Sequence, residues 1–99
     1  MDILIWLENW FLQKCDNDWE HSYGLRIATL ENPGWSAEIS LNETNLEEKE
    51  YPKTIIERSN NDWIHCFVEE NTFKGYGGPN NLSAILEIFK KMGINSCLV

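Results

Sequence analysis

The stretch YGLRIATLENPGWSAEISLN, Tyr23 to Asn42, decides the fold. Asn32-Pro33-Gly34 at its centre is a turn signal: proline presets φ for one corner and glycine accepts positive φ at the next. After the turn, Trp35, Ala37, Ile39 and Leu41 alternate with Ser36, Glu38, Ser40 and Asn42, the period of a strand with one buried face. Before it, Tyr23, Leu25 and Ile27 share a face. Two such runs around one turn predict an antiparallel hairpin.

Working outward, Thr54–Arg58 and Trp63–Val68 predict a second hairpin around the turn formers Ser59-Asn60-Asn61-Asp62. The polar, acidic stretch 42–52 between the hairpins reads as a loop with a short edge strand around Leu46. Phe73-Lys74-Gly75-Tyr76-Gly77-Gly78-Pro79 reads as an irregular loop. Beyond it, Leu82, Ile85, Leu86, Phe89 and Met92 repeat at helical spacing, predicting a helix over 80–92 that Asn80 or Asn81 caps and Gly93 stops. At the other end, residues 2–14 predict a helix with Ile3, Leu4, Leu7, Trp10 and Phe11 on one side and Asp2, Asn9 and Gln13 opposite. Ile5, Trp6 and Leu12 fall on its flanks, so this helix is covered on more than one side or leaves an aromatic exposed. The order α-β-β-β-β-α predicts an α+β fold in two layers, a four-stranded antiparallel sheet with N-terminal and C-terminal helices. Trp35, Ile39, Ile85 and Phe89 are expected between the layers.

The 99 residues fit one domain, 1–99, whose single core must carry the stability. A hydrophobic share of 42% with five tryptophans suffices for that core and excludes a disordered acidic tail. The three cysteines, Cys15, Cys66 and Cys97, have no paired spacing, which argues for a reducing compartment. The apolar N-terminus has no Lys or Arg ahead of it, is interrupted by Glu8 and leads to no small-residue cleavage site. No run approaches the ~18–20 apolar residues of a membrane span, so a cytoplasmic location is expected, with no membrane partner. A net charge of −8 repels phosphate backbones, which disfavours direct nucleic-acid binding and favours a basic protein partner.

Candidate chemistry falls away on inspection. Asp16-Asn17-Asp18-Trp19-Glu20 opens like a calcium loop, but His21 stands where that loop needs glycine and Ile27 where it needs the bidentate glutamate. His65 and Cys66, adjacent on a strand, point to opposite faces and cannot share an ion. No further ligands have metal spacing around Cys15 and His21, so no metal and no cofactor is expected. Gly75 to Gly78 precede a helix, where phosphate loops lie, yet the Lys-Ser/Thr of a P-loop is missing. These glycines serve backbone conformation in the first reading and a small-molecule or nucleotide site in the alternative. Trp19, beside acids, and Trp63, opening a strand beside Asp62, are either sheet-end cover or interface anchors with a charged rim. No catalytic constellation emerges, so the chain is expected to bind rather than to catalyse.

Several motifs together resemble the immunity protein 53 family of bacterial polymorphic toxin systems. They are Cys15-Asp16-Asn17-Asp18-Trp19-Glu20-His21 with Tyr23-Gly24, Glu31-Asn32-Pro33-Gly34-Trp35, Asp62-Trp63-Ile64 with Cys66, Phe73 with Gly75, Gly77 and Gly78, and the Leu82/Leu86/Phe89 helix. Trp6, Leu7 and Trp10 match as well, so the resemblance runs from about residue 6 to about residue 90. It implies a cytoplasmic antidote that binds and blocks a cognate toxin domain without catalysis. The acidic balance suits a basic toxin such as a nuclease, whose phosphate groove carboxylates can occupy. On this reading the toxin-binding residues are Asp16, Asp18, Trp19, Glu20, Glu43, Glu47, Glu48, Glu50 and Trp63.

Overall fold

The computed structural model describes residues 2–16, 19–44, 47, 51 and 53–97, apart from the side chains of residues 20 and 93–97. In chain order the elements are α1 (Ile3–Lys14), the single turn α2 (Trp19–Ser22), β1 (Leu25–Leu30), β2 (Gly34–Ser40), β3 (Thr54–Ser59), β4 (Asp62–Glu69), β5 (Thr72–Gly77) and α3 (Leu82–Cys97). The strands form one antiparallel sheet in the order β1-β2-β5-β4-β3. Both expected hairpins are present, β1–β2 around Glu31–Pro33 and β3–β4 around Asn60 and Asn61. The expected edge strand around Leu46 lies outside the described residues.

The sheet has five strands, not four. The stretch read as an irregular loop from Phe73 is β5, the middle strand, paired with β2 on one side and β4 on the other. Its glycines weaken strand propensity, which hid it, but they are what the packing requires. A Cβ on Gly75 would lie 2.4 Å from Ile85 Cγ2, and one on Gly77 would lie 2.9 Å from Ile85 Cδ1. α3 therefore sits directly on the backbone of the central strand. Glu70 and Asn71 join β4 to β5 with φ of 52° and 56°, the left-handed pair that lets a two-residue turn follow the strand twist.

Register sorts the side chains into two faces. Ala37 and Ile39 of β2, Leu41 just beyond it, Ile64 and Cys66 of β4, and Phe73 of β5 are buried under the helices. Phe89 of α3 is fully buried at their centre, its ring 5.0 Å from that of Trp10, 5.2 Å from Phe73 and 6.0 Å from Trp6. The expected core positions Ile39, Ile85 and Phe89 are buried. Trp35 is only half-buried: it lies at the sheet end, where its Nε1–H donates to the Pro79 carbonyl at 3.0 Å.

Both helices depart from expectation in detail. Asp2 caps α1, its Oδ1 accepting the Leu4 N–H at 2.9 Å. α1 buries Ile3, Leu7 and Trp10, while Leu4 and Phe11, expected on that side, are exposed. α3 runs through Gly93 to Cys97 rather than stopping there. Asn81 stands at its N-terminus, with its carbonyl accepting the first helical N–H, from Ile85, at 3.0 Å. Its buried side chain does not cap the helix. Oδ1 accepts the N–H of Gly78 at 3.1 Å and of Trp63 at 3.2 Å, and Nδ2 donates to Asp62 Oδ1 at 3.1 Å, which ties the helix start to the β3–β4 hairpin.

Candidate partner-binding surface

Asp16 follows the end of α1, and its Oδ1 accepts the Trp19 N–H at 2.8 Å, so it positions the turn α2. Trp19 is 2% exposed. Its ring packs edge-on against Trp10 and Phe11 at centroid distances of 5.9 and 6.0 Å, and its Nε1–H donates to the Asn42 carbonyl at 2.8 Å. One core side chain thus joins the loop after α1 to the loop after β2.

The second loop is shaped by its own short bonds. Thr44 Oγ1 donates to the Leu41 carbonyl at 2.7 Å, and the Glu47 carboxylate accepts the N–H of Glu43, which has φ of 59°. The Leu41 N–H donates to Asn71 in the β4–β5 turn at 2.8 Å, and the Ser40 N–H to Gly24 before β1 at 2.9 Å. These contacts gather the exposed residues Asp16, Glu43, Glu47, Glu69 and Glu70 at one end of the sheet. Lys74 lies beside them with Nζ 3.0 Å from Glu69 Oε1, and this hydrogen bond pushes the Lys74 pKa upward.

The sequence-predicted site residues divide accordingly. Asp16, Glu43 and Glu47 come together. Asp18, Glu48 and Glu50 lie outside the described residues, and Glu20 is described only as part of the α2 backbone. Trp19 belongs to the core, so its reading as an exposed anchor is corrected: both ring and N–H are already engaged. Glu69 and Glu70 were missed, although two acids before an Asn in a hairpin turn were a usable signal.

Trp63 is elsewhere. It is the second residue of β4, roughly 20 Å of strand from Glu69. It is half-buried on the face opposite the helices, its ring 5.4 Å from that of His65, on a row continued by Phe67 and its neighbour Tyr76 at 6.1 Å. Lys53 Nζ lies 5.8 Å from the centre of the Phe67 ring.

The glycines do not form the irregular loop on which the small-molecule alternative rests. Gly75 and Gly77 are strand residues under Ile85, and a Cβ on Gly78 would lie 2.4 Å from the Asn61 carbonyl oxygen. His65 and Cys66 do point to opposite faces. Cys66 is buried beside an apolar recess of about 240 Å3, and loss of solvent pushes its thiol up to about 12, which keeps it protonated and poorly nucleophilic. Among the described residues, no three His, Cys, Asp or Glu side chains converge on a metal-sized site. No helix among them is long and apolar enough to cross a membrane.

Searches of curated proteins and of solved structures return no significant match. A family model described as Immunity protein 53 matches residues 4–93, which include all five strands and most of α1 and α3. Such a family carries a toxin-neutralising role and is generally non-catalytic. The chain belongs to the immunity protein 53 family.

Proposed function

We propose that this protein binds a cognate toxin domain in the cytoplasm through its acidic end and blocks it without catalysis. The observation that carries the reading is the Trp19–Asn42 hydrogen bond, which brings the acidic loops after α1 and after β2 together. Asp16, Glu43 and Glu47 act from those loops, and Glu69 and Glu70 from the adjoining turn. Asp18, Glu20, Glu48 and Glu50 stand close to these residues in sequence and stay in the proposal as acidic residues of those stretches.

Clustered carboxylates steer a basic partner and occupy a groove built for phosphates, which favours a basic toxin such as a nuclease and disfavours nucleic acid as the ligand. Trp63 contributes from the open sheet face, at a distance from the acidic cluster. The test is stoichiometric inhibition: where the polypeptide encoded directly upstream carries a C-terminal toxin domain, that domain loses its activity at one equivalent of this protein. Full activity at excess contradicts the reading.

A further inference from the structure

α1 is apolar on more sides than the fold uses. Its core face takes Ile3, Leu7 and Trp10, yet Leu4 is 51%, Ile5 50%, Phe11 37% and Leu12 69% exposed. Leu4, Glu8 and Leu12 follow one another at i, i+4 and i+8, so they form a line along the helix, with Phe11 on one side and Ile5 on the other. A shallow notch lined by Leu7, Glu8, Phe11 and Leu25 runs beside that line. Polar residues would hold the helix equally well at these positions, so folding alone does not account for the stripe. Exposed apolar residues gathered on one flank around a single charge fit an interaction site.

We infer that the outward flank of α1, Leu4, Ile5, Phe11 and Leu12 around Glu8, docks an apolar segment of the toxin domain that carries a cation opposite Glu8. The inference rests on the toxin-binding reading above and adds the anchoring surface to its charged end. Charge selects this occupant. A second copy pairing α1 antiparallel, with Leu4 on Leu12 and Ile5 on Phe11, sets Glu8 against Glu8 between two molecules that each carry −8. A basic partner meets the same line with its charges matched, and among the described residues no cation of this chain pairs with Glu8. The flank is continuous with the acidic end, because α1 runs directly into Asp16 and Phe11 packs on Trp19. A partner drawn in by the carboxylates therefore reaches the apolar stripe without leaving the surface.

The experiment measures binding kinetics against an inactivated form of the upstream-encoded C-terminal domain. Leu4→Gln and Leu12→Gln keep helix propensity, and each should weaken binding about tenfold, mainly through faster dissociation, with an unchanged melting temperature. Glu8→Lys should weaken it as well. Ile55→Thr, at an equally exposed position on the edge strand, should bind like the parent. Normal binding by both leucine variants overturns the inference, while a slowed association of Glu43→Lys in the same assay keeps the acidic-end reading. Weakening by Ile55→Thr alone places the partner on the sheet and overturns it too. So does a dimer of the free protein that Leu12→Gln dissociates, which makes a second copy the occupant. Absence of binding by the parent protein removes both readings at once.

Discussion

The Nε1–H of Trp19 donates to the carbonyl oxygen of Asn42 at 2.8 Å, closing a link between two loops that none of the sheet's three hairpins connects. Trp19→Phe keeps most of the buried ring but leaves that carbonyl without its donor. It should cost about 1 kcal/mol in denaturant unfolding, whereas Trp19→Ala should cost about 3–5 kcal/mol. An alanine variant as stable as the parent would place the ring at the surface after all.

Phe89 is the hub of the aromatic core, touching Trp6, Trp10 and Phe73. Phe89→Ala should destabilise by about 3–5 kcal/mol, read from the shift of the urea midpoint. A loss below about 1 kcal/mol would be incompatible with a fully buried ring.

Gly75 makes a sharper test of how α3 sits on β5. Gly75→Ala forces a methyl into Ile85 and should cost about 1–3 kcal/mol by overpacking. In an Ile85→Ala background the obstructing Cγ2 is gone, so most of that cost should vanish, and a double-mutant cycle measures the coupling. Additive losses would mean that the close approach does not exist.

Cys66 predicts a pH dependence with a definite sign. Its thiol rises from an ordinary 9.0 to about 12 on folding, so the folded state holds its proton more tightly than the unfolded state. Below about pH 9 both states are protonated and the contribution of this group is fully present. Between about 9 and 12 the unfolded chain loses the proton first, and stability falls as pH rises through that window. Comparing the pH–stability curve of Cys66→Ala with the parent isolates the effect: the parent's extra decline above pH 9 should disappear.

Much of the fold was legible because its signals are local. The alternation from Trp35 to Leu41 and the Leu82–Met92 stripe each depend on residues close in sequence and lie where expected; the Asn32-Pro33-Gly34 signal marks the right hairpin, but Gly34 already pairs with Leu30 in β2 instead of taking a positive-φ corner. The misses share a non-local cause. β5 carries glycines because α3, which follows it, presses Ile85 onto its backbone. Trp19 looks like a loop residue among acids until Asn42 and Trp10 enclose it. Gly93 carries a stop signal that the helix overrides. At the surface, the acidic loops were legible as composition, but their meeting with Glu69 and Glu70 required the register of β4 and β5. The exposed flank of α1 was foreshadowed by a helix with too many apolar sides, although which sides remain open depends on how the helix docks.

Salt dependence of association with the upstream-encoded domain tests the central claim most directly. Carboxylates that steer a basic partner act on the association rate and are screened as ionic strength rises. The parent should bind fast at low salt and slow steeply as salt is added. Glu43 and Glu70 are exposed on the two loops that Leu41 and Asn71 hold together, so Glu43→Lys/Glu70→Lys should reduce the low-salt rate about tenfold, flatten the salt dependence and leave the melting temperature unchanged. An association rate that neither salt nor the double reversal alters would contradict the account.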